Sequence, residues 1–276
     1  MSGRFHAFSF VDRITRLEPG RRIEGRYTVP ASAARFPASL MAEAVGQLAA
    51  WAAMSHIGYT HRPVAGIAGE TRYHGAAVPG QTLQLEADLE HCDDDAVAYS
   101  GKASIDGRCV LELLHCVGPM LPMEEFDAPD AVRADFETLR IGASAGRFNG
   151  VDAPAIVPVE YVAGERLRAE LHVPAAAPFF DDHFPRRPVY PGTLLMDALS
   201  SLALQLARDA APLRDASLAV ASVIDVKIRA FTEPGTVLEL QADCQSATDE
   251  AALMKLAARA AGKVVASARM EVRRAV

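Results

Sequence analysis

The sequence predicts an α+β protein built from two similar halves, in each of which an antiparallel sheet wraps around one central helix. Three observations support this prediction. Four segments of the first half can be aligned with four segments of the second. Each half has one apolar helical pattern, followed by stretches in which apolar and polar residues alternate as they do in strands. Two copies of one unit in a single chain indicate a fused pseudo-dimer.

The aligned segments give both halves the same order of elements. A strand behind a Gly turn comes first, then an apolar helix bearing one acid, and then strands that turn at Pro-Gly and near Asp-Gly. In chain order, the aligned pairs are PGRRIEGRYTVP (19–30) with AGERLRAELHVP (163–174), FPASLMAEAVGQLA (36–49) with YPGTLLMDALSSLA (190–203), VPGQTLQLEADLEHC (78–92) with EPGTVLELQADCQSA (233–247), and SIDGRCVLE (104–112) with RAAGKVVAS (259–267).

This repeat divides the chain into three parts. We predict an N-terminal unit at 1–122, a linker at 123–155 and a C-terminal unit at 156–276. The linker mixes acids, Gly and Pro, with one short helical pattern near 130–140. We expect it to run over the surface.

Composition argues against several classes of function. The formal net charge of −7 leaves no broad basic surface for nucleic acid. The N-terminal residues lack an apolar segment before a cleavage site, and no uncharged apolar run approaches the ~20 residues of a membrane span. The four cysteines lie far apart, which fits small buried side chains in a reducing compartment. We therefore expect a cytoplasmic protein without nucleic-acid or membrane partners.

Motifs that bind cofactors or metals are missing from the sequence. The histidines show no metal-ligand spacing, and there is no Gly-rich phosphate loop, nucleotide fingerprint or Gly-x-Ser-x-Gly elbow. The sequence therefore predicts neither a cofactor nor a metal.

The two halves differ in the connection that leads into the helix. Pro174 and Pro191 are seventeen positions apart, whereas Pro30 and Pro37 are seven apart. The ten extra residues of the second half include DDHFPRRP, which contains His183. Only the second half can supply this histidine.

Each predicted helix carries one acid beside its apolar stripe, Glu43 in the first half and Asp197 in the second. Helical periodicity alone cannot choose between them as the partner of His183. Gln47 follows Glu43 at the i+4 position, on the same helix face, whereas Ser201 holds that position after Asp197. This difference favours Glu43.

The segment HFPRRPVYPGTLLMDAL (183–199) resembles the motif of the bacterial 3-hydroxyacyl-(acyl carrier protein) dehydratases, which have the hotdog fold. In that family His-Phe-Pro-Gly-x-Pro-Val-Met-Pro-Gly precedes an apolar helix bearing Glu or Asp. The first half is similar to the same family through 10–25 and 36–51, without the histidine segment. Two residues depart from the pattern, Arg186 in place of Gly and Ser201 in place of Gln. The resemblance implies a double hotdog.

The resemblance also implies roles for individual residues. In this family the histidine and the acid of one site come from different hotdogs, so His183 acts as base, Glu43 acts as acid, and the Gly192 amide binds the thioester oxygen. Asp197 is then a relic that faces the gap in the first half. The residues expected to contact substrate are Gln47, Val189, Tyr190 and Arg187.

The activity implied is removal of water from a 3-hydroxyacyl thioester to give the trans-2-enoyl thioester, in fatty-acid or polyketide-like biosynthesis. The acyl group would be carried by acyl carrier protein or by CoA, and further self-association is left open. Arg186 and Arg187 could meet an acidic carrier and its phosphate. Lys227 and Arg229 could extend this patch or simply protect a strand edge.

Three alternatives remain at this point. The first is a dehydratase that also isomerises the double bond, as in the Asp-bearing branch of the family. The second is a hotdog thioesterase, against which the His-Phe-Pro segment argues. The third is a non-catalytic subunit that binds a carrier, against which the joint presence of His183, Glu43, Gln47 and Gly192 argues.

Overall fold

A computed structural model describes residues 7–142, 148–214 and 216–275 of the chain. Parts of all three predicted units therefore lie outside the described residues: 1–6 of the N-terminal unit, 143–147 of the linker, and 215 and 276 of the C-terminal unit. Within the described part, no helix is both long and apolar enough to span a membrane.

The first half consists of one long helix and seven strands. Its elements are β1 (Arg13–Glu18), β2 (Arg22–Thr28), α1 (Ser39–His56), β3 (His61–Pro63), β4 (Ile67–Tyr73), β5 (Thr82–Cys92), β6 (Ala96–Ile105) and β7 (Arg108–Pro122). A 3-10 turn, Met123–Glu125, and a second helix, α2 (Pro129–Ile141), lead out of this half.

The second half repeats this order with one long helix and six strands. Its elements are β8 (Ile156–Val162), β9 (Arg166–His172), α3 (Gly192–Arg208), β10 (Leu218–Ile228), β11 (Val237–Ala247), β12 (Ala251–Ala260) and β13 (Lys263–Arg274). Among the described residues of this half, β3 has no counterpart.

The strand order confirms the repeat. The sheet runs β1-β2-β5-β6-β7-β4-β10-β13-β12-β11-β9-β8, and every neighbouring pair is antiparallel. From one end the order is β1-β2-β5-β6-β7-β4, and from the other end it is β8-β9-β11-β12-β13-β10. Equivalent strands of the two halves therefore follow one another in the same order. The aligned turns also correspond: Asp106–Gly107 and Ala261–Gly262 both have positive φ at two successive residues, as tight hairpins require.

The two predicted sheets are joined into one. β4 pairs with β10 in the middle of the order, with Ser222 opposite Arg72 and Val226 opposite Ala68. An unpaired strand edge exposes a row of N–H and C=O groups, and pairing β4 with β10 satisfies both edges at once. The fold is a double hotdog with one continuous sheet.

Each long helix buries its apolar face in the concave side of the sheet. Leu40, Ala44 and Leu48 of α1 are fully buried, as are Ala198 and Leu199 of α3. The helices also contact each other, and Thr193 in the first turn of α3 binds Glu43 in the second turn of α1. This arrangement brings Gly192 of one helix close to Glu43 of the other.

The connecting segment is more than a surface linker. The pattern near 130–140 does form a helix, α2, but Val132, Phe136 and Leu139 on one side of it are buried. Phe126 is fully buried and packs against Phe184 of the histidine segment, with ring centroids 5.2 Å apart. The segment thus runs over the surface with one apolar side packed inward, where these side chains cover α1 and the histidine segment.

Candidate active site

A cavity of about 740 Å³ lies between the two halves, and both halves line it. The second half contributes the histidine segment and the first turn of α3, and the first half contributes one face of α1. Of the residues predicted for the site, those that line the cavity are His183, Glu43, Gly192, Gln47, Val189 and Tyr190. Arg187 and Asp197 are not among the described residues that line it.

The backbone of the histidine segment fixes the ring of His183. Nδ1 of His183 lies 2.9 Å from the carbonyl oxygen of Val189, and the Val189 N–H donates to the carbonyl oxygen of His183 at 3.0 Å. A carbonyl can only accept, so Nδ1 carries the hydrogen. In the neutral ring, Nε2 then holds the lone pair and is the atom able to remove a proton.

Aromatic side chains flank the same ring. Phe184 stacks on His183 with centroids 4.2 Å apart, and Phe8 meets it edge-on at 5.6 Å. The guanidinium of Arg62 lies over the other ring of this stack, 3.9 Å from the centroid of Phe184. Burial lowers the pKa of His183, Glu43 opposes this shift, and the positive charge of Arg62 adds to it. The net lowering keeps the imidazole neutral near pH 7.

Arg62 therefore gives a testable pH dependence. His183 can act as a base only when neutral, so activity should fall as the pH drops through its pKa, which lies below the usual value of about 6.5. We expect Arg62→Gln to raise the pKa of His183 and to move the acidic limb of the kcat/KM profile to higher pH. Arg62→Lys keeps the charge and is the matched control. This effect of Arg62 on His183 would be contradicted if the acidic limb of the kcat/KM profile stayed in place in Arg62→Gln. It would also be contradicted if the limb moved equally in both variants.

Two side chains hold the carboxyl group of Glu43. Nε2 of Gln47 donates to Oε1 at 2.9 Å, and Oγ1 of Thr193 donates to Oε2 at 2.6 Å. Gln47 comes from the same helix, at the predicted i+4 position, whereas Thr193 comes from the first turn of α3 in the other half. Gln47, expected from the resemblance to contact substrate, lines the cavity and also binds the Glu43 carboxyl group.

The N-terminal segment 7–10 closes one side of the site and was not anticipated from the sequence. Oδ2 of Asp182 accepts from the backbone N–H groups of Ala7 and Phe8, each at 2.8 Å, and from Oγ of Ser9 at 3.2 Å. Gln47 binds the same segment, accepting from the Phe10 N–H at 2.8 Å and donating to the Phe8 carbonyl oxygen at 2.9 Å. The segment is thus tied to both halves, with Phe8 facing the cavity.

Gly192 begins α3, where the backbone amides have no partners within the helix. The Pro191 carbonyl accepts from Leu194 and Leu195, so the amides of Gly192 and Thr193 lie at the positive end of the helix dipole. A Cβ at Gly192 would meet Ile228 at 3.7 Å, an ordinary contact. The surrounding protein therefore has room for a side chain at this position. The absence of a Cβ allows a ligand to approach the Gly192 amide closely.

Asp197 is held in a different environment from Glu43. Nη2 of Arg35 donates to both carboxyl oxygens of Asp197, at 2.8 and 2.7 Å. Arg35 lies in the short connection of the first half, where the second half has its histidine segment. Burial raises the pKa of Asp197 and the Arg35 contact opposes the shift. A side chain from the other half therefore occupies both oxygens of this carboxyl group.

Val189 and Tyr190 form part of the wall of the cavity. The Val189 side chain is buried in a small cluster with Val64, Phe126 and Phe184. The Tyr190 N–H donates to the carbonyl oxygen of Thr232 at 2.7 Å, and burial raises the pKa of its phenol.

The two arginines expected to meet a carrier both contact the connecting segment. Nη1 of Arg187 lies 2.7 Å from Oε2 of Glu125, and its guanidinium lies over the ring of Phe231 at 4.6 Å. Nη1 of Arg186 donates to the carbonyl oxygen of Glu124 at 2.9 Å. Arg186 has no left-handed backbone, so the turn does not require glycine at this position. Both side chains thus hold the 3-10 turn against the histidine segment.

Comparisons with known proteins add the family. An ApeI-like dehydratase family model, described as ApeI dehydratase, matches residues 160–269. The 3-hydroxyacyl-[acyl-carrier-protein] dehydratase FabZ of Nitratidesulfovibrio vulgaris is 34% identical over 116 residues, which are 41% of this chain and 74% of that protein. FabZ of Albidiferax ferrireducens is 39% identical over 83 residues, 29% of this chain and only 55% of that protein.

Solved structures match over almost the whole chain. A MaoC-like dehydratase gives a TM-score of 0.56 at 14% identity, covering 93% of this chain and 98% of that one. An acyl-ACP thioesterase from Bacteroides thetaiotaomicron gives 0.54 at 9% identity, covering 91% and 98%. Identities this low show a shared fold alone, whereas the sequence matches are specific. The chain therefore belongs to the 3-hydroxyacyl-[acyl-carrier-protein] dehydratase family, as two fused hotdogs.

Proposed function

We propose that this protein removes water from a 3-hydroxyacyl thioester and releases the trans-2-enoyl thioester, using one working site per chain. The observation that carries the proposal is that His183 and Glu43, from opposite halves, both face one cavity that also contains the start of α3. The family supports the same reaction, because its named members are 3-hydroxyacyl-[acyl-carrier-protein] dehydratases.

The proposed chemistry uses both ends of the bond between C2 and C3 of the substrate. Nε2 of His183 removes a proton from C2, and the electron pair of that C–H bond forms the new C2=C3 double bond. The C3–O bond breaks, and Glu43 gives its proton to the departing hydroxyl, which leaves as water. The Gly192 amide donates to the thioester oxygen while negative charge develops there. His183 then returns its proton to Glu43 through solvent.

We further propose that the acyl group arrives on an acyl carrier protein. The relatives named above act on carrier-linked substrates, and a phosphopantetheine arm can reach a site between two halves. Because Glu125 already pairs with Arg187, the exposed side chains of Lys227 and Arg229 are better placed than Arg187 to meet an acidic carrier. Arg229 lies between Ile228 and Ala230, which both line the cavity.

One assay tests the reaction. The purified chain is incubated with 3-hydroxyacyl thioesters linked either to CoA or to acyl carrier protein, and enoyl absorbance is followed together with release of free thiol. We expect enoyl product without free thiol, at a higher kcat/KM for the carrier-linked substrate. Free thiol would indicate a thioesterase, and neither product would indicate a subunit that only binds carriers. A 3-enoyl isomer among the products would add the isomerase activity.

A further inference from the structure

We propose that Thr193 is a positioning residue that fixes the acidic proton of Glu43 on one oxygen, Oε2. This inference rests on the proposed function, because it concerns the step in which Glu43 protonates the leaving hydroxyl. Two features carry it: the fixed orientation of the Gln47 amide and the position of the Thr193 hydroxyl.

The backbone determines which way the Gln47 amide points. The Phe10 N–H lies 2.8 Å from one amide atom of Gln47, and since an N–H must donate, that atom is the oxygen. The NH₂ group then gives one hydrogen to the Phe8 carbonyl and the other to Oε1 of Glu43. Oε1 therefore always accepts a hydrogen bond. The oxygen of a carboxyl group that carries the proton is the weaker acceptor, so the Gln47 N–H at Oε1 favours placing the proton of Glu43 on Oε2.

Thr193 supplies the partner that Oε2 needs in both protonation states. Its Oγ1 lies 2.6 Å from Oε2, a distance typical of a hydrogen bond between a hydroxyl and a carboxyl group. A hydroxyl can accept a hydrogen from the protonated carboxyl and donate one to the ionised carboxylate. Thr193 can therefore hold Oε2 in place before and after the proton leaves.

The location of Thr193 connects the acid to the rest of the site. It follows Gly192 directly, so the first turn of α3 holds both the proposed oxyanion donor and the partner of the acid. The carboxyl group itself is on α1, in the other half. A hydroxyl on α3 is thus able to set the distance between the donated proton and the thioester oxygen.

The repeat provides an internal comparison. Ser39 occupies the equivalent position at the start of α1 and is buried, but among the described residues its Oγ has no hydrogen-bond partner. The equivalent acid, Asp197, has both oxygens bound by Arg35. The fold therefore does not need this hydroxyl to form a hydrogen bond, and the bond at Thr193 serves the working acid.

Three variants test this inference. Thr193→Val removes the hydroxyl and keeps the shape of the side chain, Thr193→Ser keeps the hydroxyl, and Ser39→Ala is the matched control in the other half. For each we would measure thermal unfolding, kcat and KM for dehydration, and two isotope effects on kcat: that of D₂O and that of deuterium at C2 of the substrate.

We expect Thr193→Val to lower kcat about 10- to 100-fold with KM changed less than about threefold. Protonation of the hydroxyl should then limit the rate, so the D₂O effect should rise and the C2 effect should fall. Thr193→Ser and Ser39→Ala should stay within about threefold of the parent protein. If Thr193→Val instead displaced His183, removal of the C2 proton would limit the rate, and the isotope effect of deuterium at C2 would rise.

The inference is overturned if Thr193→Val retains kcat, if Thr193→Ser loses as much as Thr193→Val, or if Ser39→Ala loses as much as either. A rise of the C2 effect in Thr193→Val would also overturn it. A parent protein that forms no enoyl product would instead overturn the proposed function, which the first measurement of the series reveals before any variant is compared.

Discussion

Replacing His183 by Ala should reduce kcat for dehydration by at least about a thousandfold, because it removes the atom that takes the C2 proton. The variant also loses the Nδ1 hydrogen bond to Val189 and the ring contact with Phe184, so the free energy of unfolding should fall by about 1–3 kcal/mol while the fold is kept. The measurement is the initial rate of enoyl formation at saturating substrate, with melting temperature as the check on folding.

The two acids provide the matched comparison for this prediction. Glu43→Gln keeps the size of the side chain but cannot supply the proton, and we expect it to lose roughly a hundredfold or more in kcat. Asp197→Asn makes the same chemical change at the repeated position and should keep most of the activity, because Arg35 binds both oxygens of that carboxyl group and Asp197 is not among the described residues that line the cavity. If Asp197→Asn were inactive and Glu43→Gln active, the assignment of the working site would be reversed.

The second large effect concerns stability. We expect Arg35→Met to lower the free energy of unfolding by about 2 kcal/mol, because it leaves the carboxyl group of Asp197, with only 12% of its side chain exposed, without its cation. Arg35 itself is about one-third exposed, which keeps the expected loss below that of a fully buried pair. Urea unfolding followed by circular dichroism measures this difference.

A double variant separates the pair from its surroundings. Replacing both residues, as Arg35→Met with Asp197→Leu, removes the buried charge together with its partner and should recover most of the lost stability. Dehydration should be nearly unchanged in Arg35→Met, since neither Arg35 nor Asp197 is among the described residues that line the cavity. If the double variant lost as much free energy of unfolding as the two single variants together, Arg35 and Asp197 would not stabilise each other.

The sequence alone predicted the features that depend on local periodicity. β5 and β11 each span eleven residues and occupy the aligned segments, because alternation and Pro-Gly turns specify a strand and its ends. The acid on each helix and the Gln47 contact also followed from helical spacing. His183 stood out because ten residues were present in one half and absent from the other.

Contacts between distant parts of the chain could not be predicted in this way. Arg35 and Asp197 are 162 positions apart, and Thr193 and Glu43 are 150 apart. Neither Arg35 nor Thr193 belongs to a periodic pattern that marks it. The difference in length between the two Pro-to-Pro connections was nevertheless a signal of the Arg35 contact. The shorter connection brings no histidine to Asp197, so another residue must neutralise the charge of this buried acid.

The role of Arg187 also depended on a distant contact. Position and charge alone suggested that it meets a carrier protein, but Glu125, from the connecting segment, pairs with it. The direction in which that segment leaves β7 is not encoded in its acidic and glycine-rich composition. It is decided by burial of Phe126 against Phe184, a contact between two aromatic residues in different parts of the chain.

The continuous sheet through β4 and β10 has a consequence for how this chain can change by mutation. In a homodimer, one gene specifies both subunits, so an arginine placed against the acid of one site would appear at the other site as well and would block both. With both halves in one polypeptide, Arg35 occurs once and neutralises Asp197, while Glu43 lines the same cavity as His183. Substitutions can therefore accumulate independently at the two positions. Because the halves are also covalently linked, the composition of the site does not change on dilution.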